Sequence, residues 1–427
     1  MKELSSAELR NPDLVCRALG LSETPQLWAE TWAQSERDFA VKPRAWSDGA
    51  WLGEVLAKAG VSGEVRAVLE GVLAGLTASA PMRRLLRHSH WLFFHNTFSP
   101  AQLDFGRWPQ LPGDPCVAGP LFYAFVLLSG LAHVERVHRS AGVSPAVTSD
   151  TLGDLDLWIR ECKRRHGEWG FREKGWLYHH FTGNLIKLGR LQYVRDVFSH
   201  PLRFYRRQGT GAVVALAEDG LVFREDGQFA NADGGAVRTG LWRSRLTVTD
   251  DRITGNPIDP EGGAVCREMS LDRSEWSEIL RKGDPAFSVH IPATGAMDHA
   301  ACGESFRQAV EWCPKFFNAY PFRAFTCDSW LLDPQLGQAL DAKSNVARFM
   351  REWYLHPVQN AGSRQTYERV FDVFGKGGLD LKMAPKSSLQ KVILERVKQG
   401  KLCRNGGSVL FSEDLAWGKE VYRNKSI

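Results

Sequence analysis

Apolar residues recur every three or four positions from about residue 25 to residue 140, and tend to alternate from residue 176 onward. The first period belongs to amphipathic helices and the second to half-buried strands. Residues 25–39 carry Leu27, Trp32 and Phe39 with polar residues between them, and 51–58, 65–77 and 81–98 repeat the pattern. Residues 106–120 hold four prolines and three glycines and predict a loop. A strongly apolar helix is expected over 121–140, followed by a polar linker over 141–150. Over 151–168 the acids cluster at the start and Lys163, Arg164 and Arg165 at the end, matching a helix dipole.

From Trp176 the alternation predicts strands, first in the Trp176 to Asn184 cluster and LGRLQYVRDVF, then in VVALAE, LVFRE and SRLTVT. Asp219-Gly220 predicts a hairpin turn. A short helix is expected near 274–282, and a helix over 387–399 with a serine cap and Gly400 at its end.

The densest signal lies over 286–334. AFSVHIP alternates as a strand, and Asp298 suits an N-cap. Cys302, Phe306, Ala309, Val310 and Cys313 make one helical stripe, which Pro314 is expected to end. Residues 323–332 read as a second strand. A strand that feeds a helix through a short loop of small residues leaves amide donors at the helix start, which suits an anion. The whole chain reads as α+β: a helical part over 1–150 and a mixed α/β part over 151–427.

Composition narrows the function. With 54 Lys and Arg against 49 Asp and Glu, spread along the chain, nothing suggests a nucleic-acid face. Eight single cysteines without a CxxC pair suit reduced thiols in a cytoplasmic setting. The start, MKELSSAELRNPD, has no apolar core and is not expected to be a signal peptide. Residues 117–134 lack charge, but Gly119, Pro120, Ser129, Gly130 and His133 interrupt them, so a buried helix is expected rather than a membrane span. GxSxG, GxxxxGK[ST] and GxGxxG are absent, which weakens hydrolase, ATPase and dehydrogenase readings. His88, His90 and His95 match no zinc spacing, and no metal is expected.

His290 ends the first organising strand beside the anion loop, where a base of near-neutral pKa is useful. On the neighbouring strand Asp328 could orient or replace that base, and Cys327 or Ser329 could protonate a leaving group. His180, in the cluster from Trp176 to Asn184, and Trp330 are the candidates for substrate contact.

The blocks WLYHHFTGNLIKLGRLQY, VHIPATGAMDHAACGESFRQA, CDSWLLDPQL and SNVARF resemble a bacterial family of acyltransferase-domain proteins, over most of the chain. The resemblance implies a helical N-terminal domain and a GNAT-like C-terminal domain. It implies that AFSVHIP parts from its neighbour to admit a pantetheine arm. Ile291, Ala293, Thr294, Gly295, Ala296 and Met297 would then hold the pyrophosphate. The expected reaction transfers an acyl group from acyl-CoA, a cosubstrate rather than a resident cofactor, to a small amine. Two alternatives stay open. One is a GNAT-like ligand- or partner-binding protein without CoA, favoured by the single loop glycine and by Asp298. The other is a hydrolase or transferase using a cleft between the two parts.

Overall fold

The computed structural model describes residues 4–424 except 39–45, 47, 96–97, 233–238, 318–319, 360–361, 363 and 375–377. The chain forms two compact units, Met1–Lys187 and Leu188–Ile427.

In the first unit the helical period holds. Helices span Gln26–Asp38, Gly49–Lys58, Gly63–Ala78 and Ala80–Phe94. The apolar stretch becomes two helices, Phe122–Ser129 and Leu131–Ser140, with a break at Gly130. Every side chain of Phe122–Ser129 is buried, beside a core that includes Trp28, Trp32 and Phe171. Among the described residues, Gly119–Ser140 is the stretch long and apolar enough to cross a membrane by length and composition, and 67% of that window is buried.

Two expectations change here. The segment 141–150 is not a linker, because Pro145–Leu152 is a helix capped by Ser144, whose Oγ accepts from the Val147 amide. Helices Asp154–His166 and Lys174–Phe181 follow, so the helical unit runs well past residue 150. The aromatic cluster from Trp176 is therefore helical rather than extended. Leu177 and Phe181, four apart, share the buried face.

The second unit is organised on a six-stranded mixed sheet. Its strands are β1 (Leu185–Leu188), which carries the chain across the division, β2 (Leu191–Val197), β3 (Pro285–His290), β4 (Ala324–Ser329), β5 (Tyr354–His356) and β6 (Gly406–Leu410), in the order β1-β2-β3-β4-β6-β5. β3 and β4 pair in parallel, whereas β2–β3, β4–β6 and β5–β6 are antiparallel. A parallel pair needs a crossover, and here it is the helix α1 (His299–Phe316). Asp298 caps it by accepting from the Ala301 amide at 2.8 Å. Cys302, Phe306, Ala309 and Cys313 bury its stripe, with Val310 at the margin. Tyr193 and Ser305 hydroxyls meet at 2.9 Å, and Ser305 donates to the Leu188 carbonyl, tying α1 to the sheet. Pro314 does not end this helix. In the last turn a missing N–H removes only one backbone bond, and the helix closes two residues later with the Phe317 amide on the Cys313 carbonyl.

A second sheet of five strands includes Val213–Ala217, Leu202–Arg207 and Trp276–Arg281. The expected helix near 274–282 is thus a strand. Trp276 and Leu280 bury at a spacing of four that imitates a helix, while a register shift between Glu278 and Leu280 accommodates it. Asp219-Gly220 does turn the chain, with φ +78° at Gly220. Its flanking strands Val213–Ala217 and Val222–Arg224 nevertheless pair in different sheets. After β4 the chain forms helix α2 (Asn345–Arg351) and then β5, so RFMREWYLH is helix first and strand second.

Candidate active site

The ladder between β3 and β4 holds three pairs, Ala286–Ala324, Phe287–Phe325 and Ser288–Thr326, and then stops. Both strands continue. Val289 and His290 still pair with Tyr193 and Gln192 of β2. Cys327, Asp328 and Ser329 pair with Ser408, Gly407 and Gly406 of β6. The two strands have parted, and each keeps its outer neighbour. Their facing edges present backbone donors and acceptors to the gap, the kind of edge an extended ligand can pair with.

At the wide end of the gap lies the loop leading to α1. Arg190, at the β1–β2 turn, donates to three of its carbonyls: Pro292 at 2.9 Å, Ala296 at 2.9 Å and Gly295 at 3.1 Å. Peptide planarity sets each N–H opposite the carbonyl before it. Holding those three carbonyls on Arg190 therefore turns the amides of Ala293, Ala296 and Met297 away from it. Gly295 permits the bend with φ +105°. Side chains of Ala293, Thr294, Gly295 and Ala296 are exposed, and Ile291 and Met297 are half-buried. The result is a set of exposed, outward-turned amides just before an 18-residue helix, suited to phosphate oxygens. Asp298, exposed at the N-cap, accepts from the Ala301 amide, a structural use of its carboxylate.

Beside the gap, three histidines gather around Asp328. His200, in the segment after β2, places Nε2 3.0 Å from both carboxylate oxygens. His356 of β5 packs its ring edge-on to His200 at 4.4 Å. His290 lies 3.4 Å from Ser288 Oγ, and its charge also acts on Asp328. Burial alone would raise the Asp328 pKa. The His200 hydrogen bond, followed by the charge of His200, outweighs it, so the carboxyl stays below its usual range and ionised at neutral pH. An ionised Asp328 accepts the His200 Nε2 proton, which leaves His200 Nδ1 as the basic atom.

The sheet makes room for this group through a glycine. Gly407 is the register partner of both Asp328 on one side and His356 on the other. A Cβ there would come within 2.1 Å of His356 Cε1. His356 donates from Nδ1 to the Pro357 carbonyl at 3.0 Å, and its buried Nε2 has no hydrogen-bond partner among the described residues. Burial, then His200, draws its pKa down to about 3, so it is neutral. One ligand atom each from His200, Asp328 and His356 lies within 4.8 Å of the others, so this is also where the described residues could hold a cation.

The expected residues divide accordingly. His290, Asp328 and the loop from Ile291 to Met297 do converge on one mouth. Cys327 points the other way, 2% exposed, and burial followed by the Asp328 charge pushes its thiol far above the normal range. Ser329 accepts from the Leu331 amide at 3.2 Å and caps a single 3-10 turn. Trp330 packs against the cluster around Leu336, Phe371 and Ile393. His180 is buried in the first unit, with its ring nitrogens 3.2 Å from Asp154 Oδ2 and 3.2 Å from the Trp176 carbonyl, which leaves none for a substrate. Sequence reasoning missed Arg190, His200 and His356. A Gly-Arg turn between two strands, and a histidine before proline just after a strand, were the available signals.

Residues 51–183 match the N-acyltransferase N-terminal domain, and residues 185–410 match the GNAT-like C-terminal domain. The chain belongs to this acyltransferase family. The boundary between the two matched regions, near 184, sits close to the division between the compact units. No curated protein matches it. Among solved structures it is similar to an acyltransferase in complex with decanoyl-CoA, at TM-score 0.62 and 20% identity over 94% of this chain and 99% of that one. An acyltransferase in complex with decanoyl-CoA and teicoplanin gives TM-score 0.60 and 19% identity over the same shares. At such identities the likeness speaks for the fold. In this family member the strands part into an extended gap, Arg190 holds the loop carbonyls, and His200 is hydrogen-bonded to Asp328.

Proposed function

We propose that this chain transfers an acyl group from acyl-CoA to the amine of a small acceptor. The observation that carries the reading is the parting of β3 and β4 beside a loop whose amides Arg190 orients outward. In this reading the pantetheine arm pairs with the free edge of β3 and the pyrophosphate rests on the amides of Ala293, Ala296 and Met297. A backbone amide of that edge polarises the thioester carbonyl. The amine nitrogen attacks the carbonyl carbon while His200 Nδ1 takes its proton, and Asp328 stabilises the imidazolium. The carbon–sulfur bond then breaks, and the imidazolium returns the proton to the departing thiolate. His290 stands at the same mouth and adds to the field around Asp328, a supporting rather than a proton-transferring part.

The test is calorimetry with CoA, acetyl-CoA and decanoyl-CoA, followed by mass analysis of products from an amine panel. The panel pairs small amines with teicoplanin, since one structural relative is in complex with that glycopeptide. Saturable CoA binding and an acylated small amine support the reading. Acylation of teicoplanin alone would move the acceptor class to glycopeptides. An absence of CoA binding across the panel would leave a ligand- or partner-binding protein.

A further inference from the structure

A cavity of about 550 Å³ borders the first residues of α1. Its lining includes His299, Ala300, Arg307, Arg348, Trp417 and Lys419. Three of these are cations, brought from α1, from α2 and from the segment after residue 414. The carboxylates nearby are otherwise engaged. Glu352 is 5% exposed, and its Oε1 accepts from His299 Nε2 at 2.9 Å and from the Gly418 amide at 2.9 Å. Asp298 holds the Ala301 amide, while Glu304 pairs with Arg307 at 2.6 Å.

Arg348 differs from Arg307. With Nε2–H given to Glu352, His299 Nδ1 is an acceptor, and Arg348 Nη2 donates to it at 3.1 Å. This partner is uncharged, and no carboxylate pairs with Arg348 among the described residues. A buried pair, Glu352 and His299, thus orients the guanidinium of exposed Arg348, whose charge remains available. Trp417 completes the wall, its indole N–H on the His299 carbonyl at 2.7 Å and its ring 5.1 Å from the imidazole. Cations fixed beside a planar ring suit a phosphate monoester, which carries about −1.5 to −2 charge at pH 7.

The place of the cavity decides which phosphate. His299 and Ala300 directly follow the loop whose amides would hold a pyrophosphate, so a second phosphate on the same ligand falls within reach. Resting on the acyl-CoA reading, we propose that this cavity binds the 3′-phosphate of the coenzyme A ribose. The donor would then be told apart from pantetheine thioesters that lack this group.

Calorimetry on the full chain compares CoA, 3′-dephospho-CoA and adenosine 3′,5′-bisphosphate, using wild type, Arg348→Gln and Lys419→Ala. Wild type should bind CoA about tenfold or more tightly than 3′-dephospho-CoA, the scale of one charge-assisted phosphate contact. Arg348→Gln should lose most of that ratio and leave 3′-dephospho-CoA binding unchanged. Adenosine 3′,5′-bisphosphate should compete with CoA in wild type and less in either variant. Equal wild-type affinity for CoA and 3′-dephospho-CoA would overturn the subsite while leaving the acyl-CoA reading intact. Equal losses for both ligands in the variants would do the same. Lys419→Ala, at an exposed position, keeps the test open if Arg348→Gln melts early. A wild type that binds neither ligand would overturn both proposals.

Discussion

Arg190→Ala removes the hold on the loop without touching a single atom proposed to contact substrate chemically. Three hydrogen bonds, at 2.9, 2.9 and 3.1 Å, end on one half-buried guanidinium. At a net value of about 1 kcal/mol each, they hold the loop with about 3 kcal/mol. Once released, the loop must be ordered by the ligand itself, so CoA affinity should fall by about 10²-fold. Global stability should change much less, since Ala293 to Ala296 are exposed and bury little. Calorimetry with CoA measures the first effect, and hydrogen exchange of the amides from Ala293 to Met297 measures the second. Exchange there should accelerate in the variant. Arg190→Lys should recover part of the loss, because an ammonium can reach one or two of the carbonyls but not all three. A CoA affinity within about twofold of wild type would refute the argument that Arg190 orients the cradle.

His200→Ala should lower kcat by about 10²–10⁴-fold with little change in acyl-CoA affinity, and Asp328→Asn should act in the same direction; an unchanged kcat would remove the base. His290→Ala should cost less than His200→Ala in the same turnover assay, and the reverse order would restore His290 as the base. His180→Ala should leave KM for both substrates alone yet destabilise the fold by about 1–3 kcal/mol in denaturant titration, because it removes a buried hydrogen bond to Asp154; a raised KM at unchanged stability would reinstate it as a substrate contact. His356, drawn down to about 3 from an ordinary value of about 6.5, stabilises the fold fully above about pH 6.5 and progressively less as pH falls toward about 3. The stability gap between wild type and His356→Gln should therefore narrow between about pH 7 and pH 4, and parallel curves would contradict it.

How much of this was legible depended on how local each feature is. AFSVHIP and the stripe after Asp298 announced a strand and a helix because their periods are written in consecutive residues. The parting of β3 and β4 was reached only through resemblance, since no residue pattern encodes where a ladder stops. The His200–Asp328 pair joins positions 128 apart and Arg190 meets Ala296 across 106, and spacing of that length carries no periodic signal. Gly407 carries no local sign of its role. Only the register of β5, β6 and β4 shows that it gives His356 room beside Asp328. Misreadings had physical sources too. The i, i+4 burial of Trp276 and Leu280 imitates a helix, and the Trp176 to Asn184 cluster, expected to be extended, is helical through Phe181.

The central claim is that the opening between β3 and β4 is the donor slot. A crystal structure of the chain with CoA tests it most directly. The pantetheine arm is expected between Val289 to Ile291 and Cys327 to Ser329, the pyrophosphate on the amides of Ala293, Ala296 and Met297, and the thiol near His200. CoA bound elsewhere, with β3 and β4 still parted and empty between them, would contradict it.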